Sequence, residues 1–197
     1  KEGHKVSSID NYDSGLVSNH QNGVIYKDDD ITNVHRMPRD FDKIFHLAAL
    51  SRIQPSFNNP SETFRVNALG TQHVLDFARN IGAKVVYAGS SSRWHDPYQS
   101  PYAAYKHIGE EVCKMYKKTY GTDVEIARFY NVYGPGEIVH GDWAAVIGIW
   151  RRQAEAHDPI TIVGDGEQRR DFTYVEDIVD GLYRIGVKTE VHEDAWE

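Results

Sequence analysis

The chain has 197 residues, 40% of them hydrophobic and 12% aromatic, enough to bury one proper core. Its 29 acidic residues outnumber 22 basic ones, and the net charge of −7 with no cluster of lysine and arginine argues against nucleic acid or an anionic membrane as the main partner. The single cysteine, Cys113, excludes internal disulfides and a multi-cysteine zinc site, and the scattered histidines give no metal-ligand spacing. No apolar run spans a bilayer and the first residues are not a signal peptide, so a cytoplasmic, reducing location is expected.

The first expected element is a strand over 4–10 that ends on Asp10, followed by the polar loop 11–15. A second strand covers 23–27 and runs into Asp28-Asp29-Asp30-Ile31; a third covers 43–49 and ends on the small residues Ala48 and Ala49. Asn59-Pro60 starts a helix whose Phe64, Ala68, Thr71, Leu75 and Ala78 recur at the three-and-four spacing of one buried stripe, and Gly82 stops it. A buried strand over 84–89 delivers Ser90, Ser91 and Ser92 to its end. Ser100 caps and Pro101 opens a helix that continues to about Tyr120 and stops at Gly121. On it, Ile108, Val112, Met115 and Tyr116 form an apolar face apart from that of Tyr102 and Lys106, so the helix is expected to be covered on two sides. A strand over 122–129, a loop over 131–136, a helix over 143–156, a strand over 159–163, a turn-rich loop over 164–172 and a helix over 175–185 complete the chain.

Apolar strands alternating with helices predict an α/β fold: a doubly wound parallel sheet with helices on both faces. Ligands in such sheets bind beyond the carboxyl ends of the strands, where Asp10, Asp30, Ala48, Ala49 and Ser90–Ser92 fall. Tyr102 and Lys106 lie one helical turn apart. An ammonium beside a phenol favours the phenolate, which would make Tyr102 a proton acceptor near neutral pH, facing the Ser90 hydroxyl. A surface lysine beside a half-buried tyrosine has the same spacing and no chemistry.

Gly3-His4-x-Val6 with Asp10-Asn11, His46-Leu47-Ala48-Ala49, Val66-Asn67-Ala68-Leu69-Gly70-Thr71, Pro101-Tyr102-x-x-x-Lys106, Arg128-Phe129-Tyr130-Asn131-Val132-Tyr133-Gly134-Pro135 and Gly164-Asp165-Gly166-x-Gln168-x-Arg170-Asp171-Phe172 follow one another over nearly the whole chain. In this order they resemble the extended short-chain dehydrogenase/reductase family, specifically the NAD-dependent nucleotide-sugar epimerases and dehydratases. The resemblance implies an NAD-binding Rossmann-like domain over 1–130 and part of a substrate-binding region over 131–197. It implies Tyr102 as catalytic acid/base, Lys106 as its partner that also holds the nicotinamide ribose, and Ser90 as the hydroxyl on the sugar oxygen. For NAD it implies Asp10 with Asn11 at the adenosine ribose, Asp30 and Ile31 at the adenine, and Ala48 and Ala49 lining the cofactor. A carboxylate at position 10 accepts two ribose hydroxyls and repels a 2′-phosphate, which favours NAD over NADP. For the substrate it implies Ser90 and Ser91 at the sugar, and Asn131 and Arg170 at the diphosphate. Blander roles are a strand-end cap for Asp10, a turn residue for Asn131 and a surface charge for Arg170.

The function implied is 4-epimerisation of a UDP-hexose through a 4-keto sugar, in a homodimer formed by helices 61–81 and 102–120. The alternatives are a decarboxylase, a reductase, a dehydratase or a non-catalytic member. Dehydratases of the family carry an acidic pair after the Ser90 position, where this chain has Ser91 and Ser92. The family's first strand and its Gly-x-x-Gly-x-x-Gly turn are not among these residues, so the chain is expected to be part of a longer protein and to bind NAD poorly as written. Arg93-Trp94-His95 replaces the usual Val-Tyr-Gly in a loop expected over the sugar; Gly89 replaces a frequent serine, and Tyr105 a usually small residue.

Overall fold

The computed structural model describes residues 3–187 and 192–197. Every paired strand is parallel. Strand β1 (Val6–Asp10) pairs with β2 (Val24–Asp28). Strands β3 (Lys43–His46), β4 (Lys84–Ser90) and β5 (Val124–Phe129) form the central sheet in that order. The doubly wound character holds, but the expected single sheet is divided, because no described strand bridges β1 and β3.

β4 is buried along its whole length, as befits a strand covered on both faces. Alternation sends Val85 and Tyr87 into one core with Leu75, Ala78, Cys113 and Tyr116, and Val86 into another with Ala127, Leu182 and Ile185. The first core lies under α3 (Thr71–Ile81) and α4 (Pro101–Tyr120), the second under α6 (Val175–Val187). Gly82 and Gly121 end α3 and α4 at φ of 72° and 67°, the left-handed conformation glycine adopts without steric cost. No described helix is long and apolar enough to cross a membrane.

The helix expected from Asn59 has three parts. Asn59 caps α2 (Pro60–Phe64), Arg65–Gly70 widen into a π-helical turn, and α3 follows. In the wide turn the Asn67 side chain accepts from the Leu50 N–H at 2.8 Å and donates to the Leu50 carbonyl at 3.0 Å. The turn is thus bound to the segment after β3. A short helix, α1 (Ile53–Asn58), occupies that segment and was not anticipated.

The last third departs most from the periodicity. The expected loop at 131–136 contains β6 (Asn131–Tyr133), which pairs with β7 (Phe172–Tyr174). Two three-residue strands are too short to register as an alternating pattern. Residues 159–163 form no strand. Their backbone is held instead by α5 (Val146–Glu155): Trp150 Nε1 donates to the Thr161 carbonyl at 2.7 Å, and Gln153 accepts from the Thr161 N–H at 3.1 Å.

Candidate active site

Ser90 is the last residue of β4, paired with Phe129 of β5, and 8% exposed. Its Oγ accepts from the Ser92 N–H at 3.2 Å and the Ser92 hydroxyl at 3.0 Å, and lies 3.3 Å from the Tyr102 phenolic oxygen. The serine-tipped strand and the tyrosine of the next helix therefore meet, as their order along the chain predicts.

The start of α4 fixes the phenol. Ser100 Oγ accepts from the Ala103 N–H at 3.1 Å. The Tyr102 N–H, left without an intrahelical acceptor in the first turn, donates to Ser56 Oγ of α1 at 3.2 Å. Burial pushes the phenol above its ordinary value, while the Ser90 hydrogen bond and the positive charge of Arg52 pull it back.

Lys106 is not the surface lysine of the bland reading, being only 5% exposed. The expectation that its ammonium lowers the phenol is not met. Its Nζ donates to the Ala88 carbonyl at 2.6 Å and sits 4.4 Å from the centre of the Tyr87 ring. A buried ammonium must find an acceptor, and the strand-end carbonyl supplies one. Burial also pulls Lys106 down to about 8. Desolvation, and then the charge of Lys106, push His46 down to about 3; neutral, it bonds Thr71 Oγ1 at 3.0 Å.

Asp10 ends β1, exposed, with Oδ1 accepting from the Tyr12 N–H at 2.8 Å. It caps its own loop, as the blander reading had it, and Gly15 lets the chain pass close to the carboxylate, where a Cβ would come within 3.0 Å of Oδ2. Asn11 accepts from the Asp13 N–H at 3.2 Å. Asp30 is less open than its sequence position suggests. Arg65 donates to both of its oxygens, at 2.8 and 2.7 Å, and Thr32 also bonds Oδ1, so its carboxyl is held well below the usual range, chiefly by Arg65. The Ile31 side chain is buried with Val34, Val66, Val74 and Phe77 rather than turned outward to a ligand. Ala48 is exposed and Ala49 half-buried just beyond β3, and Ser91 is half-buried after β4.

Asn131 follows the β5 end by two residues, and its Nδ2 donates to the Asp171 carbonyl at 3.0 Å. The β6–β7 pairing thereby brings Arg170 near it; that guanidinium is exposed and donates to the Arg169 carbonyl at 2.7 Å. Among the described residues no group of histidine, cysteine and carboxylate side chains could hold a metal ion.

In the 91–94 turn Arg93 is engaged, while Trp94 and the following His95 are exposed. Arg93 turns to α4, bonding His107 and pairing with Glu111 at 3.2 Å, and Trp94 lies 5.1 Å from the Arg128 guanidinium. Arg128 is itself buried, donating to Glu110 at 2.9 Å and to Asp194 and Glu197 at 2.9 Å each. This explains Gly89: a Cβ there would sit 2.8 Å from Glu110 Oε1 and 3.0 Å from Arg128 Cγ. Tyr105 meets Phe64 edge-on with ring centres 5.3 Å apart.

Two features escaped the sequence reading. The Glu110–Arg128 pair gave no signal, because two charges 18 residues apart look like ordinary surface residues. Arg52 gave one that went unused: it follows the Ala48-Ala49 strand end by three residues, at the same carboxyl edge.

The chain is 29% identical over 204 residues to UDP-glucuronic acid decarboxylase 1 of Xenopus tropicalis, covering 93% of this chain and 48% of that one. It is 32% identical to UDP-glucuronate 4-epimerase of Thermodesulfobacterium geofontis, covering 92% of this chain and 64% of that one. The solved UDP-N-acetylglucosamine 4-epimerase from Methanobrevibacter ruminantium superposes with a TM-score of 0.88 at 29% identity, over 95% of this chain and 66% of that one. The chain thus spans about half the length of the first of these relatives. The model of the NAD dependent epimerase/dehydratase family matches residues 1–195, and with the Ser90–Tyr102 contact at the carboxyl edge of a parallel sheet this places the chain in that enzyme family.

Proposed function

We propose that the complete protein is an NAD-dependent nucleotide-sugar 4-epimerase that acts on a UDP-hexose through a 4-keto sugar. The observation that carries this reading is the 3.3 Å approach of Ser90 Oγ to the Tyr102 phenol. That pair can hold an alcohol, with Tyr102 as phenolate taking the proton of the sugar 4-hydroxyl and Ser90 bridging the two oxygens. NAD, when bound, supplies the reversible hydride acceptor.

The residues present fit such a cofactor. The exposed Asp10 carboxylate suits ribose hydroxyls, and the exposed Ala48 leaves room for a flat ring beyond β3. Asp30 and Ile31, already engaged with Arg65 and the core, would contribute at the adenine through their backbone. The buried Lys106 would leave the Ala88 carbonyl to hold the nicotinamide ribose. On the substrate side Asn131 and Arg170, joined by the β6–β7 pairing, would take the diphosphate, for which a planar guanidinium is well shaped.

A second reading shares the first step. A 4-keto hexuronate is a β-keto acid, so oxidation at C4 also prepares loss of the carboxylate, and a decarboxylase is among the relatives. Elimination of water needs a further acid, which Ser91 and Ser92 do not supply. The full-length protein with NAD should convert UDP-glucose or UDP-glucuronate to the 4-epimer, read by chromatography of the nucleotide sugars. Carbon dioxide release with a UDP-pentose product would replace the epimerase by the decarboxylase; turnover of neither sugar would remove both.

A homodimer is part of the proposal. Phe64, Ile108 and Met115 on the 61–81 and 102–120 helices are 45%, 38% and 42% exposed, an apolar strip that a second copy would cover. Sedimentation of the full-length protein should give twice the chain mass, and a monomer at every concentration would rule the strip out as a dimer contact.

A further inference from the structure

Lys106 is a buried ammonium with three N–H donors, and the hydrogen bond recorded for it goes to the Ala88 carbonyl at 2.6 Å. A buried cation normally finds an anion, because stripping its water is costly. Among the described residues no carboxylate pairs with this one. Glu110, one turn further along α4, is bonded to Arg128 at 2.9 Å. What stands against the ammonium is the face of an aromatic ring: Nζ lies over Tyr87, 4.4 Å from the ring centre. The negative face of such a ring attracts a cation, most strongly where both are out of water, and Tyr87 is only 1% exposed.

The fold holds the ring there. Tyr87 lies in the middle of β4, paired with His46 of β3 and Ile126 of β5. The His46 ring is 5.4 Å from it, and Gly109 of α4 leaves the space that its hydroxyl occupies. That hydroxyl finds no hydrogen-bond partner among the described residues, so the packing uses the ring and not its oxygen.

We propose that Tyr87 is a positioning residue for Lys106: its ring face, in place of a carboxylate, holds the ammonium at the carboxyl edge of the sheet and leaves the N–H donors able to exchange the Ala88 carbonyl for hydroxyl oxygens of a bound ligand. This rests on the reading of Lys106 as part of the Tyr102 site. A carboxylate would take those donors for itself and cancel the charge; a ring attracts the charge and accepts none of them. The other charged and titratable groups around the ammonium are engaged or neutral. Arg128 is on Glu110, Arg52 on the Trp143 carbonyl, and Arg93 on His107 and Glu111. His46 is neutral on Thr71, the Tyr102 phenol is on Ser90, and burial pushes the Cys113 thiol up, so it stays protonated.

The test is direct titration of Lys106 in the full-length protein, by NMR of lysines labelled at Cε, with Lys106→Arg assigning the signal. Tyr87→Leu removes the ring and should lower the Lys106 midpoint by about one pH unit, the size of a desolvated cation–π contact. Tyr87→Phe keeps the ring and should leave the midpoint nearly where it was. The sign separates this from a merely structural effect: a loosened core that let water in would relieve the desolvation and move the midpoint up. Tyr87→Met serves if Tyr87→Leu does not fold. A midpoint that is unchanged or raised without the ring, or lowered equally by Tyr87→Phe, overturns the proposal. A midpoint lowered as expected while the pH profile of turnover stays put supports the ring as the seat of the ammonium and overturns only the reading of Lys106 as part of the Tyr102 site.

Discussion

Tyr102→Phe in the full-length protein is expected to lower kcat by about a thousandfold or more, the upper part of the range for a positioned acid/base, while nucleotide-sugar binding and the unfolding midpoint change little. Among the described residues the polar partner of the phenol is Ser90 Oγ, and that hydroxyl already has the Ser92 N–H and hydroxyl as further partners. Its removal therefore strands no buried group. The ring stays, and the backbone N–H keeps Ser56 Oγ. The assay pairs steady-state turnover with calorimetric titration of the nucleotide sugar. Wild-type turnover in the variant would end the acid/base assignment. Loss of binding in parallel with loss of turnover would show the phenol acting through substrate affinity instead.

Arg128→Met is expected to have the largest effect on stability, about 3–5 kcal/mol. Glu110 and Arg128 side chains are each 1% exposed, and the substitution removes the cation bonded to Glu110 at 2.9 Å, leaving that buried carboxylate only Arg93 at 3.9 Å and the Ser90 N–H. Replacing both by methionine should recover much of the loss, since neither charge then remains unpaired in the interior. Urea unfolding of the two variants measures this; a cost under about 1 kcal/mol for Arg128→Met would show that water reaches the pair. The same cluster gives an acid dependence. Its hydrogen bonds with Arg128, then Lys114, hold the Asp194 carboxyl at about 2 instead of 3.8. A depressed carboxyl stabilises the fold fully above about pH 4, and the contribution is lost as pH falls through about 2. Asp194 is 49% exposed, so solvent and salt screen it and the effect is small beside that of Arg128.

Much of this was written along the chain. Five strands and the helices at 60–64, 71–81, 101–120 and 175–187 announce themselves by apolar period and by the caps Asn59, Ser100, Gly82 and Gly121. The 65–70 wide turn was hidden, because its residues continue a helical pattern and its widening accompanies the clamp between Asn67 and Leu50. The β6–β7 pair was hidden because it joins residues about 40 positions apart. The 159–163 segment looked like a strand by composition, yet side chains of α5 take up its backbone groups.

The sequence by itself determined the main strands and helices, that they alternate into parallel sheets, and that Ser90, Tyr102 and Lys106 arrive at one edge. It could do so because period and capping are local properties, and strand ends in such folds point the same way. Only the tertiary structure decided where the charges go: Lys106 to a strand carbonyl, Arg52 to the Trp143 carbonyl, Arg128 onto Glu110 in the space Gly89 leaves. A long charged side chain settles on whichever buried partner lacks a hydrogen bond once everything is packed, and that deficit does not exist until the chain has folded.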